Sequence, residues 1–209
     1  MGTIKERPIL FSGAMVRALL NGSKTQTRRA IKPQPTQPRQ AGYILHSTDK
    51  SREGGFQWSD ADCKNLSEPI HCPYGQPGDR LWVRETLFWS ACDDGWCYQA
   101  DNDMLQCEYH LAPILLKDYK PAIPSIHMPR VASRLLLEIT AVRVERLQDI
   151  NTDDIKAEGI RHTIDYGPIL YEEWQLLWEK INGPESWAAN PWVWVVEFKV
   201  IDGKEVASA

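Results

Sequence analysis

No stretch of this 209-residue chain approaches the roughly 20 consecutive apolar residues that a membrane-crossing helix requires. The opening Met1-Gly2-Thr3-Ile4-Lys5-Glu6-Arg7-Pro8 has no apolar core of the kind that directs secretion. It also lacks the Ser or Thr at the sixth position that N-myristoylation wants. A cytoplasmic location and no membrane partner are therefore expected. The five cysteines, Cys63, Cys72, Cys92, Cys97 and Cys107, are odd in number and irregular in spacing, unlike a disulfide framework. The nearest approach to a zinc motif, Cys92-x4-Cys97 ahead of Cys107-x2-His110 with His71-Cys72 upstream, lacks the two tight ligand pairs of a structural site. Reduced thiols in or near the core are expected, with no metal and no other cofactor. Internal repeats are missing as well.

What is present is enough for one core. Hydrophobic residues make up 43% and charged residues 25%, which fits a single globular domain over 1–209 rather than a disordered chain. The formal net charge of −4 conceals an asymmetry. Residues 1–40 carry eight Lys/Arg against the lone acid Glu6, a net of +7, whereas the other 169 residues sum to −11. A local concentration of positive charge on a mildly acidic protein is the footprint of a phosphate-binding surface. A solvated basic face with no partner would look the same.

Periodicity gives the elements. Ser12 caps a short helix carrying Met15, Val16, Leu19 and Leu20, and Asn21-Gly22 stops it. Ser23 to Arg29 alternates β-branched and polar residues and reads as extended. Prolines 33, 35 and 38 lead into a polar stretch, so 33–72 reads as a partly mobile excursion from the core, and 86–130 as a second insertion. Pro77-Gly78-Asp79 is a turn before a strand from Arg80 to Glu85. Ser133 to Leu147 is a long strand whose apolar phase slips near Ala141, as at a bulge. Asn151 or Thr152 opens a short acidic helix that Gly159 ends. Leu170, Trp174, Leu177, Trp178 and Ile181 form an amphipathic helix. Trp192, Trp194, Val196, Phe198 and Val200 line one face of the last strand. Of nine tryptophans, Trp82, Trp174, Trp178, Trp192 and Trp194 are assigned to the core. Trp58, Trp89, Trp96 and Trp187 fall in loops or ambiguous segments. Strands without regular intervening helices argue for an α+β fold with a mixed, mostly antiparallel sheet or barrel and helices at its rim.

The chemistry concentrates in Gly22-Ser23-Lys24-Thr25-Gln26-Thr27-Arg28-Arg29. It contains Gly-x-Lys-Thr but is no P-loop, because the helix precedes the glycine instead of following the lysine. In an extended segment Thr25, Thr27 and Arg29 share one face while Lys24, Gln26 and Arg28 share the other. Arginine suits forked phosphate contacts, and lysine supplies a movable charge or an activated base.

Leu20-x-Gly22-x-Lys24-Thr25-x-Thr27-x-Arg29 resembles the signature of the ASCH domain family, a branch of the PUA-like superfamily. Pro77-Gly78-Asp79-Arg80-Leu81-Trp82-Val83, Ala157-Glu158-Gly159 and the strand from Trp192 to Phe198 are similar to further parts of that family, in its order, over about half the chain. The whole length also resembles longer phage and prophage members, through Cys72-Pro73-Tyr74-Gly75 and His127-Met128-Pro129-Arg130. The resemblance implies a PUA-like β-barrel with a cleft that recognises RNA or a modified nucleoside, with or without hydrolysis of the ligand. One ASCH branch removes the acetyl group of N4-acetylcytidine, and its lysine, threonine and glutamate map onto Lys24, Thr27 and Glu158. Thr27 would be the nucleophile, Lys24 the base and Glu158 the acid. A regular strand would aim Lys24 and Thr27 to opposite faces, so a turn at 24–25 is required. Thr25, Gln26, Arg28, Arg29, Arg84, His127 and Arg130 are the candidate ligand-binding residues. A metal-independent ribonuclease and a non-enzymatic phage accessory protein with a protein partner are the alternatives.

Overall fold

The computed structural model describes residues 3–90, 95–101, 122–161 and 166–203. Its elements, in chain order, begin with β1 (Glu6–Leu10), α1 (Gly13–Leu20), β2 (Gln26–Ala30), β3 (Arg39–Tyr43), β4 (Gly55–Ser59) and β5 (Ile70–His71). There follow β6 (Arg80–Arg84), β7 (Leu87–Ser90), β8 (Gly95–Tyr98), β9 (Leu135–Arg146), α2 (Thr152–Ala157), α3 (Gly167–Asn182) and β10 (Trp192–Gly203). The fold is α+β and dominated by sheet. Its principal sheet has the order β1-β6-β9-β10-β2. The β1–β6 pair is parallel and the other three pairs are antiparallel.

β10 organises the interior because both of its faces are buried. Trp192, Trp194, Val196 and Phe198 enter the larger core with Ile9, Phe11, Leu81, Val83, Leu135 and Leu137. Val193 and Val195 face a second core formed with Ile155 of α2 and Leu170, Trp174 and Trp178 of α3. The alternation in the sequence predicts the first face; helix packing turns the second into core as well. On β9, Ile139 pairs with Phe198 and Ala141 with Glu197, which leaves Thr140 as the extra residue of a bulge. The phase slip near Ala141 therefore has the structural origin expected of it.

The sheet's two edges approach each other. β1 and β2 lie at opposite ends of the strand order, yet Arg29 of β2 donates to the Leu10 carbonyl of β1 at 2.8 Å. Phe11, next in the chain, is buried against Phe198. No backbone ladder joins these edges among the described residues, so the sheet curls without closing into a barrel.

Several expectations need correction. The 33–72 stretch is not an excursion from the core: β3, β4 and β5 form a three-stranded sheet whose Phe56 and Trp58 are buried in the larger core. Phe56 meets Trp194 edge-on at 5.3 Å and Trp58 meets Trp192 at 6.0 Å. Only two aromatics among polar neighbours carry this packing, too few to leave a periodic signal. Trp82, in contrast, is only half buried. It sits on the outward face of β6, beneath the guanidinium groups of Arg84 and Arg130 at 5.0 and 5.9 Å. Ile181 and Val200, also placed on apolar faces, are exposed. Trp89 and Trp96 contact each other at 5.5 Å across the β7–β8 hairpin, and Trp187 packs against the second core. Cys63 is exposed while Cys72 and Cys97 are half buried. Cys92, Cys107 and His110, and most of the 86–130 insertion, lie outside the described residues.

Helix ends are set by local chemistry. Asn151 caps α2 by accepting from the Asp154 amide at 2.9 Å. Gly159 ends the helix with φ +90°, and a Cβ there would lie 2.8 Å from Ala18 Cβ and 3.1 Å from Lys24 Cβ. Only glycine lets α2 come this close to the 18–24 segment. Gly159→Ala is expected to destabilise the fold by about 2–4 kcal/mol, combining left-handed strain with overpacking, as read by urea unfolding. Trp58→Ala is expected to cost about 3–5 kcal/mol in the same measurement, whereas a detached excursion would leave stability unchanged.

Candidate functional site

The basic segment leaves α1 at Gly22, whose φ of +74° reverses the chain. It is then clamped on three sides. The Lys24 amide donates to the Ala18 carbonyl at 2.9 Å, the Thr25 amide to Ala157 at 2.8 Å, and the Phe198 amide to the Thr25 carbonyl at 2.9 Å. Lys24 and Glu158 face one another in an isolated β-bridge. The helix-to-strand junction expected at this point thus exists, with β2 beginning at Gln26.

Lys24 is buried and its Nζ donates to Glu158 Oε2 at 2.8 Å and to the Glu158 carbonyl at 2.9 Å. Arg28 is equally buried. Its Nη2 meets Glu145 Oε2 and Asp154 Oδ2, each at 2.9 Å, and its Nη1 lies 3.4 Å from Glu158 Oε1. Gln26 donates to the Asp154 carbonyl and to its Oδ1 at 3.0 and 3.1 Å. Arg143 completes the network through Glu145, Glu197 and Asp154. Lys24, Gln26 and Arg28 therefore do share one face, and that face is turned inward onto the acids of α2 and β9.

Two protonation equilibria are displaced. Burial pushes the Lys24 ammonium below its usual value of 10.5 and outweighs the opposing pull of the Glu158 carboxylate, while nearby Arg29 and Arg28 lower it further. Burial would raise Asp154, but Arg28, the Gln26 amide and Arg143 together hold it below its ordinary 3.8.

Thr27 is buried and borders a narrow cleft with Met15, Arg28, Arg29, Glu158 and the α3 residues Trp174 and Trp178. Its free volume is about 20 Å³, room for roughly one water molecule. Three of its lining residues carry a buried N–H with no hydrogen-bond partner among the described residues: Arg28 at Nε, Trp174 at Nε1 and Trp178 at Nε1. On the other side of the segment, Lys24 and Thr25 border a separate groove of about 440 Å³ with Leu19, Phe198 and Lys199. Glu158 is the link: it touches Lys24 directly and shares the narrow cleft with Thr27. Thr27 thus borders the narrow cleft and Lys24 the groove.

The other candidates lie apart. Arg84 donates to the Met128 carbonyl at 3.2 Å, Arg130 grips Glu6 Oε2 through Nε and Nη2 at 3.1 Å each, and His127 is exposed in a 3₁₀ turn. Arg84 and Arg130 meet over Trp82, and among the described residues none of the three is bonded to the Lys24 network. Thr25 is exposed and Arg29 half buried, with Arg29 Cζ 5.5 Å from the centre of the Phe11 ring. Sequence reasoning missed Arg143, Glu145, Asp154 and Glu197. Only Asp154 left a usable sign: it precedes Glu158 by four residues, which aligns the two on one side of a helix.

No protein-family model and no curated protein matches the chain. Its structure is similar to the crystal structure of protein EF3133 from Enterococcus faecalis V583, assigned to the family DUF984. The identity is 9% and the TM-score 0.43, over 97% of this chain and 84% of that one.

The displaced Lys24 equilibrium has a directional test. In a side-chain NMR titration, Lys24 is expected to lose its proton below pH 10.5. Because Glu158 raises the Lys24 value, Glu158→Gln should move the midpoint lower still. An unchanged midpoint in that variant would contradict the pairing.

Proposed function

We propose that the chain recognises RNA or a modified nucleoside at the cleft bordered by β2, α2 and α3, and hydrolyses an acyl amide on the bound base. N4-acetylcytidine is the substrate that the ASCH resemblance names. In this reading the curled, unclosed sheet is a variant of the PUA-like barrel within a single domain of a cytoplasmic protein, and no metal or cofactor is used. The supporting observation is the buried Lys24–Glu158 pair beside a Thr27 cleft lined by three residues that each carry a buried N–H without a partner among the described residues. Such a cleft offers donors to one oxygen atom, which suits an amide carbonyl that becomes an oxyanion.

The cleft is too small for a nucleobase ring. The acyl oxygen enters, and the ring stays at the mouth near Met15, Arg29 and Ile181, unless α3 shifts outward. Thr27 Oγ attacks the carbonyl carbon, and its proton passes to the Lys24 amine by way of Glu158, which touches Lys24 and borders the same cleft as Thr27. Collapse of the adduct breaks the C–N bond, and the proton returns to the departing amine. Water then cleaves the threonyl ester, releasing the carboxylic acid and restoring the hydroxyl. Lys24 serves as base because its desolvated ammonium gives up a proton more readily.

The phosphate-binding part of the proposal falls to Arg29 and to residues beyond the segment, since Lys24 and Arg28 are enclosed by carboxylates. Nucleic-acid affinity should therefore be modest and shallow in its dependence on salt.

The test is turnover of N4-acetylcytidine to cytidine and acetate by the intact chain, followed by chromatography. Thr27→Val keeps the shape and burial of the side chain. It should cut turnover by about two orders of magnitude or more while the unfolding midpoint stays within experimental scatter of wild type. Equal turnover in Thr27→Val would remove the nucleophile assignment. No turnover by wild type, on the nucleoside or on RNA carrying it, would leave binding without hydrolysis.

A further inference from the structure

A second concavity lies on the opposite side of β9 from the ion network, where the β3–β4–β5 sheet meets the turn at 75–78 and the β9 bulge. Its volume is about 330 Å³, at the lower end of the roughly 300–1,000 Å³ typical of ligand pockets. It shares no lining residue with either cleft at the Lys24–Glu158 pair.

Its walls have a consistent chemistry. Tyr43, 43% exposed, rests on Phe56 with ring centres 4.9 Å apart, and Phe56 is braced edge-on by buried Trp194 at 5.3 Å. Tyr43 is thus an aromatic shelf on a rigid support. Gln76 and the bulge residue Thr140 supply polar groups. Among the described residues, neither of these side chains nor the Tyr43 hydroxyl has a hydrogen-bond partner. Tyr43 and Gln76 converge: a Cβ at Gly54 would lie 3.5 Å from Gln76 Oε1 and 3.7 Å from the Tyr43 hydroxyl, and the glycine leaves that space open. The remaining wall is apolar, with Val142 and Cys72. Burial pushes the Cys72 thiol up to about 11, so it stays neutral near pH 7. No charged side chain lines the pocket.

We propose that this pocket binds a neutral planar heteroaromatic ring of the nucleobase class, stacked on Tyr43 and read along its edge by the Gln76 carboxamide with Thr140. A pure hydrocarbon would strand the polar groups. The nearest charges, Arg7 and Asp79 beside Gly75, are already paired with each other, so an ionised ligand would find no free counter-charge on the lining. A carboxamide offers a donor and an acceptor side by side, which matches the edge of a base. The aromatic shelf accepts any base face, so selectivity comes from the edge. The inference does not rest on hydrolysis at Thr27.

The experiment titrates the intact chain with each of the four ribonucleosides and, separately, with a mixed-sequence single-stranded RNA oligonucleotide. Backbone amide shifts are followed by NMR, with indole as a ring that lacks the base's edge pattern. Saturable shifts are expected at Gly54, Gln76 and Thr140. Tyr43→Ala should weaken binding about tenfold or more. Gln76→Ala should flatten the preference among bases. Both substitutions lie at exposed side chains, and the fold is checked from the rest of the spectrum. Binding of nucleosides alone assigns the site to free ligands, and binding of the oligonucleotide with weak nucleosides assigns it to a base within a strand. The proposal is overturned by no saturable binding by any of these, by binding indifferent to both substitutions, or by indole binding as tightly as the best nucleoside. Shifts confined to Thr27 and α3 would also overturn it, and would leave the proposal for that cleft intact.

Discussion

The contact on which the rest of this structure depends is the buried ion pair of Lys24 with Glu158. It joins the start of β2 to the end of α2 across 134 residues of sequence. Removing an ammonium and a carboxylate from water costs several kcal/mol for each ion, so the pair persists only where its hydrogen-bonding capacity is met. Here Lys24 also has the Glu158 carbonyl, and the second Glu158 oxygen has Arg28. Arg28 in turn requires Glu145 and Asp154, and Arg143 draws those acids onto β9 and β10. Such networks add little net stability, but a misregistered alternative would leave a charge stranded. The network therefore fixes which residue of β2 meets which residue of α2. Gly159 permits that meeting, since any side chain there would collide with Ala18 and Lys24.

This constraint changes the meaning of the basic N-terminal segment. Read as composition, its charges belong to a phosphate-binding surface. In the fold, Lys24 and Arg28 are internal cations matched to internal acids, and they contribute little field at the surface. The same enclosure that removes Lys24 from phosphate binding lowers its proton affinity. A lysine that would be an ordinary surface cation in water becomes a group able to exchange a proton with a neighbour.

Much of the frame was legible because it depends on local pattern. The Ser12 cap, the Gly22 stop, the turn at Gly78, the bulge beside Ala141 and the tryptophan face of β10 all follow from residue type and period. The inward role of Phe56 and Trp58 was not legible, because two aromatics in a polar stretch gain their significance only from Trp192 and Trp194, far along the chain. The outward position of Trp82 was hidden for the converse reason: a tryptophan in a strand looks like core until the arginines that cover it are known. At the site, Lys24 and Glu158 could be paired through resemblance, whereas Arg143, Glu145 and Glu197 could not. Charged residues on exposed and enclosed faces of a strand have the same spelling, and only tertiary packing separates them.

The position of α3 sharpens what the cleft asks for. Were this helix only a cover for the second core, phenylalanine at 174 and 178 would bury as much ring without an N–H group to satisfy. Instead both indoles are buried with that group unpaired, as is Arg28 Nε, and all three residues meet around a space about the size of one water. Buried donors without partners cost roughly 1–3 kcal/mol each, and three on one cavity make an arrangement that an oxygen acceptor would stabilise. In the proposed reading, the carbonyl oxygen of a ligand would meet these three residues beside Glu158, which pairs with Lys24 and borders the same cleft as Thr27.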